Sequence, residues 1–273
     1  MISTIKEVLR YKMVLVCVLL LSAFIAMGLF ANFIAPYNPL ATNLSQSCQP
    51  PSLSHPFGTD ELGRDILSRV IYGARLTLSI AFAATAVGAA VGIIGGVFSG
   101  FYGGAVDMVI QRLTDVLLAL PGFLLAIMFI AIMGNNLTTV IVSVALAMIP
   151  SFIRMARGLT LQVKELEYVS AAKQLGVRNM KVMTRHIIPN ISPTLIAQVT
   201  LNLGTAILFI SGLGFLGIGI PPPQPEWGTM LGTGSAYIFY APHIIIFPGL
   251  AVFLVVFSFN RIGDRIGEVI AVK

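Results

Sequence analysis

Three carboxylates within six positions, Asp60, Glu61 and Asp65, are the densest set of side chains in this chain that could hold calcium or act as general acid and base. Arg64 follows Asp60 by four residues and Arg69 follows Asp65 by four, the spacing of ion pairs along a helix. Thr59 or Asp60 can cap such a helix, and Leu62, Ile66 and Val70 would share its apolar face. The segment therefore predicts an amphipathic helix at the outer membrane surface, with its charges paired and solvated rather than catalytic.

Other constellations fail on context. Gly212-Leu213-Gly214-Phe215-Leu216-Gly217 has the spacing of a dinucleotide-binding turn, but no strand precedes it and Pro221-Pro222-Pro223 stops the chain where a helix should open. Close helix packing explains these glycines better. No glycine is followed by lysine, so there is no phosphate-cradling loop, and ATP hydrolysis has to come from another polypeptide. A secondary transporter would need ionisable groups near the membrane midplane; His243 is the main candidate, and as a lone histidine it reads as structural. An intramembrane hydrolase would need a nucleophile beside a base, yet there is no Gly-x-Ser-x-Gly turn, and His55 and His186 fall in opposite loops. Cys17 lies in an apolar run and Cys48 in a polar segment, so they predict neither a disulfide nor a metal site. The 11 methionines form no ligand cluster and read as packing.

The elements that carry these residues follow from composition. At 56% apolar and 10% charged, the chain is far from the roughly one-quarter charged residues of soluble domains, and it reads as an all-α polytopic membrane protein. Six transmembrane helices are predicted: residues 13–35, about 76–101, a third ending near Met133 and bent near Pro121-Gly122, about 137–153, about 191–220 and about 237–259. The first run lacks the short apolar core and small-x-small site of a signal peptide. Asp107, Arg112 and Asp115, at the entrance to the third, read as a structural pair at headgroup depth rather than a proton relay. Ala84, Gly88, Gly92, Gly96 and Gly100 recur every four residues along the second, a tape that serves either packing within the subunit or contact with another subunit. Residues 1–75 are read as an N-terminal region with the first span and the outer amphipathic segment, and residues 76–273 as a core of five spans.

Charge fixes the expected orientation. The stretch from Arg154 to Pro189 holds Arg154, Arg157, Lys164, Lys173, Arg178, Lys181 and Arg185. With the N-terminus inside, these join Lys6, Arg10, Lys12, Arg112, Arg261, Arg265 and Lys273 on the inner side, leaving only Arg64, Arg69 and Arg75 of the 17 outside. Both termini and the loop of about 161–190 are then cytoplasmic. The net charge of +6 comes from this bias and does not predict nucleic-acid binding, since no stacking aromatics interleave the basic residues.

Within that loop, Glu167-Tyr168-Val169-Ser170-Ala171-Ala172-Lys173-Gln174-Leu175-Gly176 reads as a short helix ended by glycine. Together with Pro189 it resembles the cytoplasmic coupling loop of ABC importer permeases, whose pattern runs Glu-Ala-Ala, three residues, Gly, nine residues, Ile, one residue, Leu-Pro. Ala171, Ala172, Gly176 and Pro189 match; the family's glutamate falls on Ser170, its isoleucine on His186 and its leucine on Ile188, with Glu167 placed to supply the missing charge. Phe57-Gly58-Thr59-Asp60, Leu62-Gly63-Arg64-Asp65, Tyr72-Gly73-Ala74-Arg75, Leu213-Gly214-Phe215-Leu216-Gly217, Pro225-Glu226-Trp227-Gly228 and Asn260-Arg261-Ile262-Gly263-Asp264 resemble, in order, the dipeptide, oligopeptide and nickel group of these permeases. That resemblance implies a type I ABC importer permease, MetI-like in fold. It also implies a second homologous permease, two ATP-binding subunits using ATP and Mg, an external solute-binding protein and a lipid environment as partners, with no cofactor in this chain. The cargo it implies is a dipeptide or short oligopeptide, with nickel or a metal chelate as the alternative.

Overall fold

The computed structural model describes residues 11–271; Lys6, Arg10 and Lys273, counted above as inner cations, lie outside them. Among the described residues all regular structure is helical apart from one isolated bridge between Thr59 and Asp65. The elements are α1 (Lys12–Leu29), α2 (Ala31–Ile34), α3 (Ile66–Tyr102), α4 (Gly104–Leu118), α5 (Gly122–Met133), α6 (Leu137–Val163), α7 (Glu167–Gln174), α8 (Asn179–Val182), α9 (Ile188–Phe215), α10 (Trp227–Gly234) and α11 (His243–Ala271). Among the described residues five helices are long and apolar enough to cross a bilayer: α1, α3, α6, the run Asn179–Phe215 that joins α8 to α9, and α11. The pair α4 and α5 makes a sixth crossing if taken as one span bent by 84°. The bend falls where the sequence put it, because Pro121 has no N–H to continue a helix and forces the residue before it out of helical geometry.

Helix ends differ from the hydropathy limits for identifiable reasons. At 1.5 Å per residue, the 37 residues of α3 extend about 55 Å, well beyond a hydrocarbon layer of about 30 Å, and the helix runs unbroken through positions 75 and 76. It starts at Ile66, not at Thr59 or Asp60, and its cap is Asp65, whose side chain accepts from the Ser68 N–H at 2.8 Å. The expected amphipathic helix is instead a tight turn closed by Asp60 N–H to Arg64 O at 2.9 Å and entered through Gly63 at φ 71°. The last span starts later than Tyr237 because α11 begins only after Pro242.

The glycine tape packs within the subunit. A side chain added at Gly92 would strike Phe152, at Gly96 it would meet Ala156 at 2.7 Å, and at Gly100 it would meet Thr160 at 2.8 Å, all on α6. Losing those side chains brings two helix backbones together where lipid supplies no hydrophobic drive, so dispersion contacts hold the seam. The main core lies around this seam and includes Ile66, Ala84, Val144, Phe152, Ile207, Ile210, Trp227 and Val255.

Candidate functional site

α7 is the short helix read from the sequence, and it stops as glycine dictates. Val177 N–H bonds to Ala172 O at 3.2 Å and Gly176 N–H to Lys173 O at 3.0 Å, the paired bonds of a Schellman cap, with Gly176 at φ 77°. Space is not the constraint there, since nothing lies within 4 Å of where a Gly176 side chain would begin. The requirement is backbone conformation alone.

A separate apolar cluster fastens this helix to the bundle. Val169 is buried in a group that includes Phe101 of α3, Val163 of α6, and Val182, Met183 and Ile187 of the return segment, and Ala172 is buried on the same helix. Lys173 Nζ sits 4.5 Å from the centre of the Phe101 ring, a cation–π contact, and Lys164 Nζ donates to Gly100 O at 3.0 Å. α7 is thereby tied to the far end of α3, a whole helix away from the Asp65 cap. Its other side is bare: Glu167, Tyr168, Ala171, Gln174 and Leu175 are exposed, the last at 83%, and Ser170 is half-buried. The two alanines thus divide their work, Ala172 lying against its own subunit and Ala171 facing outward.

Behind α7 the backbone winds one residue wider over Met183–Ile187, a π-helical turn that leads directly into Pro189, which is exposed and has no N–H to donate. Asn190 Nδ2 donates to the Tyr168 hydroxyl at 2.8 Å, linking this corner back to the first turn of α7. Of the residues named from the sequence, Glu167, Ser170, Ala171 and Ala172 lie on α7, Gly176 ends it, and Pro189 precedes the Asn190 that bonds to Tyr168. The structure also adds Phe101, visible in the sequence only as the end of the second span, and Val163, Val182 and Ile187, visible only as apolar residues in a basic loop. The carboxylates of α4 are ion-paired, but with arginines of α6 and not within α4 as expected: Asp107 takes two bonds of 2.6 Å from Arg157, and Asp115 meets Arg154 at 3.1 Å. Arg112 has no part in either pair.

The opposite end is built differently. Asp60, Arg64, Asp65 and Arg69 are each 3 or 4% exposed, so the charges expected to be solvated are buried. Arg64 Nε donates to Asp60 Oδ2 at 2.6 Å and its Nη2 to Glu61 Oε1 at 2.9 Å. The expected Asp65–Arg69 pair is absent. Asp65 instead holds the start of α3 and the His55 ring at 2.9 Å, because a free helix N-terminus competes for its oxygens. Arg69 reaches Asp60 at 3.4 Å and donates to Pro39 O and Pro223 O, so it joins two outer segments. Such buried ions persist only when every charge is met.

Beside them, Glu226 is fully buried and caps α10, accepting from Gly228 N–H at 2.9 Å, Thr229 N–H at 2.8 Å and Thr77 Oγ1 at 3.2 Å. Burial pushes its carboxyl above the ordinary carboxylate range, while these hydrogen bonds pull it back. Trp227 Nε1 donates to Val70 O at 3.0 Å and its ring meets Phe24 edge-on at 5.7 Å, locking α10 to α3 and α1. Of the glycines in the dinucleotide-like string, Gly214 serves this packing, since a side chain there would strike Glu226 and meet Thr229 N at 2.7 Å; Gly212 lies against Phe123 of α5, and Gly217 has open space around it. His243, the coupling-ion candidate, is buried with Nε2 3.2 Å from Thr59 O and is a tether for the outer turn.

The chain matches the family described as "Binding-protein-dependent transport system inner membrane component" over residues 92–271. It is 39% identical over 268 residues to the dipeptide transport system permease protein DppC of Alkalihalophilus pseudofirmus, which covers 98% of this chain and 88% of that protein. It is 40% identical over 268 residues to the glutathione transport system permease protein GsiD of Escherichia coli O6:K15:H31, covering 97% and 88%. In fold it resembles a chain of the MetNI methionine ABC transporter in inward-facing conformations, with a TM-score of 0.60 at 19% identity over 76% of this chain and 98% of that one.

Proposed function

The chain belongs to the family of binding-protein-dependent transport inner membrane components, and on that premise we propose that it forms, with a second homologous permease, the path by which a cell imports dipeptides or other short peptides. It is a multi-pass subunit of an ABC importer and not itself catalytic. The observation that carries the cargo reading is that the two relatives move a dipeptide and glutathione, itself a tripeptide, at near-equal identity over nearly the whole chain. A nickel reading gains nothing from the histidines, because His55 is engaged by Asp65, His243 by Thr59, and His186 lies at the α7 end beside Tyr168.

In this mechanism α7 is the lever. Two ATP-binding subunits hydrolyse Mg-ATP, and a groove on one of them receives the bare side of α7, with Ala171 allowing close approach and Glu167, Ser170 and Gln174 supplying polar contacts. Closure of the ATPases pushes α7, and the apolar staple through Val169, Ala172 and Phe101 passes the displacement to α3, α6 and α9. The spans then exchange between inward-open and outward-open arrangements while a solute-binding protein delivers cargo on the far side. Both termini and α7 lie in the cytoplasm in this account, as the charge bias requires. Proteoliposomes containing the permease pair, the ATPases and the binding protein are expected to accumulate dipeptide only with hydrolysable ATP. Accumulation by this chain alone, or with a non-hydrolysable analogue, would refute the reading.

A further inference from the structure

The three arginines at the end of the bundle away from α7 are treated unequally. Arg64 and Arg69 are buried against Asp60 and Glu61. Arg75 is exposed, and among the described residues its guanidinium has neither an ion pair nor a hydrogen bond. It is also the last charge of α3 before the uncharged run from Leu76 to Phe101, which places it at headgroup depth.

Arg75 borders a cavity of about 680 Å³ between α2, the segment 35–40 that follows it, α3 and the Gln224-Pro225 turn. Asn32, Tyr37, Tyr72 and Gln224 contribute amides and phenols to its wall, and no carboxylate does. Tyr72 donates its hydroxyl to Asn32 Oδ1 at 3.0 Å, which leaves the Asn32 amide nitrogen as a second donor beside the guanidinium. A narrower groove of about 120 Å³ runs on between α1 and α3, sharing Arg75 and Ser79 with the cavity and walled by Ile25, Leu29, Leu78 and Phe82. Leu29 and Phe82 are 71% and 42% exposed, so the groove opens on the outside of the bundle.

We propose that a phospholipid occupies this site, with its phosphate on Arg75 and an acyl chain in the groove. A forked guanidinium without an acidic neighbour calls for an anion with paired oxygens, and phosphate supplies them. A peptide carboxylate has the same chemistry at its head, but it gives no reason for an apolar channel descending along two helices from the cation. The combination of charge at headgroup depth and hydrocarbon walls below it selects lipid.

The test counts phospholipid held by the assembled transporter, purified in mild detergent, by native mass spectrometry, and then titrates phosphatidylglycerol back. Arg75→Gln is expected to lose one retained phospholipid per complex and to rebind it roughly tenfold more weakly, the effect of losing one charge-assisted hydrogen-bonding group. Ile25→Trp, which fills the groove from an exposed position, should lose it as well. Arg75→Lys, which keeps the charge but not the fork, should bind it more weakly than the unchanged protein and more tightly than Arg75→Gln, and Arg112→Gln at an arginine elsewhere on the surface should leave it unchanged. Unchanged lipid counts in both Arg75→Gln and Ile25→Trp would overturn the proposal, and loss in Arg75→Gln alone would refute the groove. An unchanged count with a KM raised for dipeptides but not for their C-terminal amides would assign Arg75 to cargo instead. Lipid retention is read without transport, so this result stands apart from the transport reading.

Discussion

The two ends of α3 solve opposite problems. At the Asp65 end, Asp60, Arg64, Asp65 and Arg69 are buried in a closed set of partners, and Gly214 of α9 and Gly228 and Gly232 of α10 meet backbone within a side chain's reach. At the Phe101 end, a helix of eight residues is fastened on one side only, and its glycine touches nothing. The first region is finished within the subunit. The second is left open on the side a partner would take. Removing a group from the sealed end should therefore cost stability, whereas the same change at the open end should cost transport and leave assembly intact.

The largest effect is expected at Arg64→Ala, which leaves buried Asp60 with only the 3.4 Å contact to Arg69 and half-buried Glu61 with no cation; breaking a buried pair costs about 3–5 kcal/mol. The yield of assembled complex and its thermal midpoint should both fall sharply, and a normal yield would mean that the outer end is not sealed by these charges. Gly92→Leu comes next, since its side chain would enter the α3–α6 seam at Phe152, where overpacking costs about 1–3 kcal/mol. A measurable drop in midpoint should accompany reduced uptake. Gly176→Val forces a branched residue into left-handed backbone at a cost of about 1–2 kcal/mol confined to the cap of α7. Assembly should survive while ATP hydrolysis continues without uptake. Should Gly176→Val transport normally, the contrast between the ends would collapse. The smallest effect belongs to Arg154→Ala, whose pair with Asp115 is more than half exposed on both sides, so its midpoint should move by less than about 0.5 kcal/mol equivalent.

Much of this contrast is legible in the residues themselves. Hydropathy places the spans, Pro121 the bend, and Gly176 the end of α7, because each rests on local physics. The tape of Gly88, Gly92, Gly96 and Gly100 announces close packing but not its partner, which only the fold identifies as α6. The outer segment misleads for a related reason. Four-residue spacing of Asp60, Arg64, Asp65 and Arg69 is what a solvated helix would show, and periodicity carries no record that Gly63 turns the chain back and that α10 and α11 cover it. Ala171 and Ala172 are likewise indistinguishable in sequence, and only their placement separates the residue that faces the bundle from the one that faces outward.

Cysteine cross-linking on the assembled transporter tests the central claim most directly. A cysteine at Ala171 should form a disulfide-length cross-link with a cysteine in the receiving groove of an ATP-binding subunit, and the yield should change when ATP is trapped. A cysteine at Leu53, fully exposed at the other end, should form none. Cross-linking at Leu53 rather than Ala171, or labelling of Lys173 by an impermeant reagent added outside intact cells, would contradict the account.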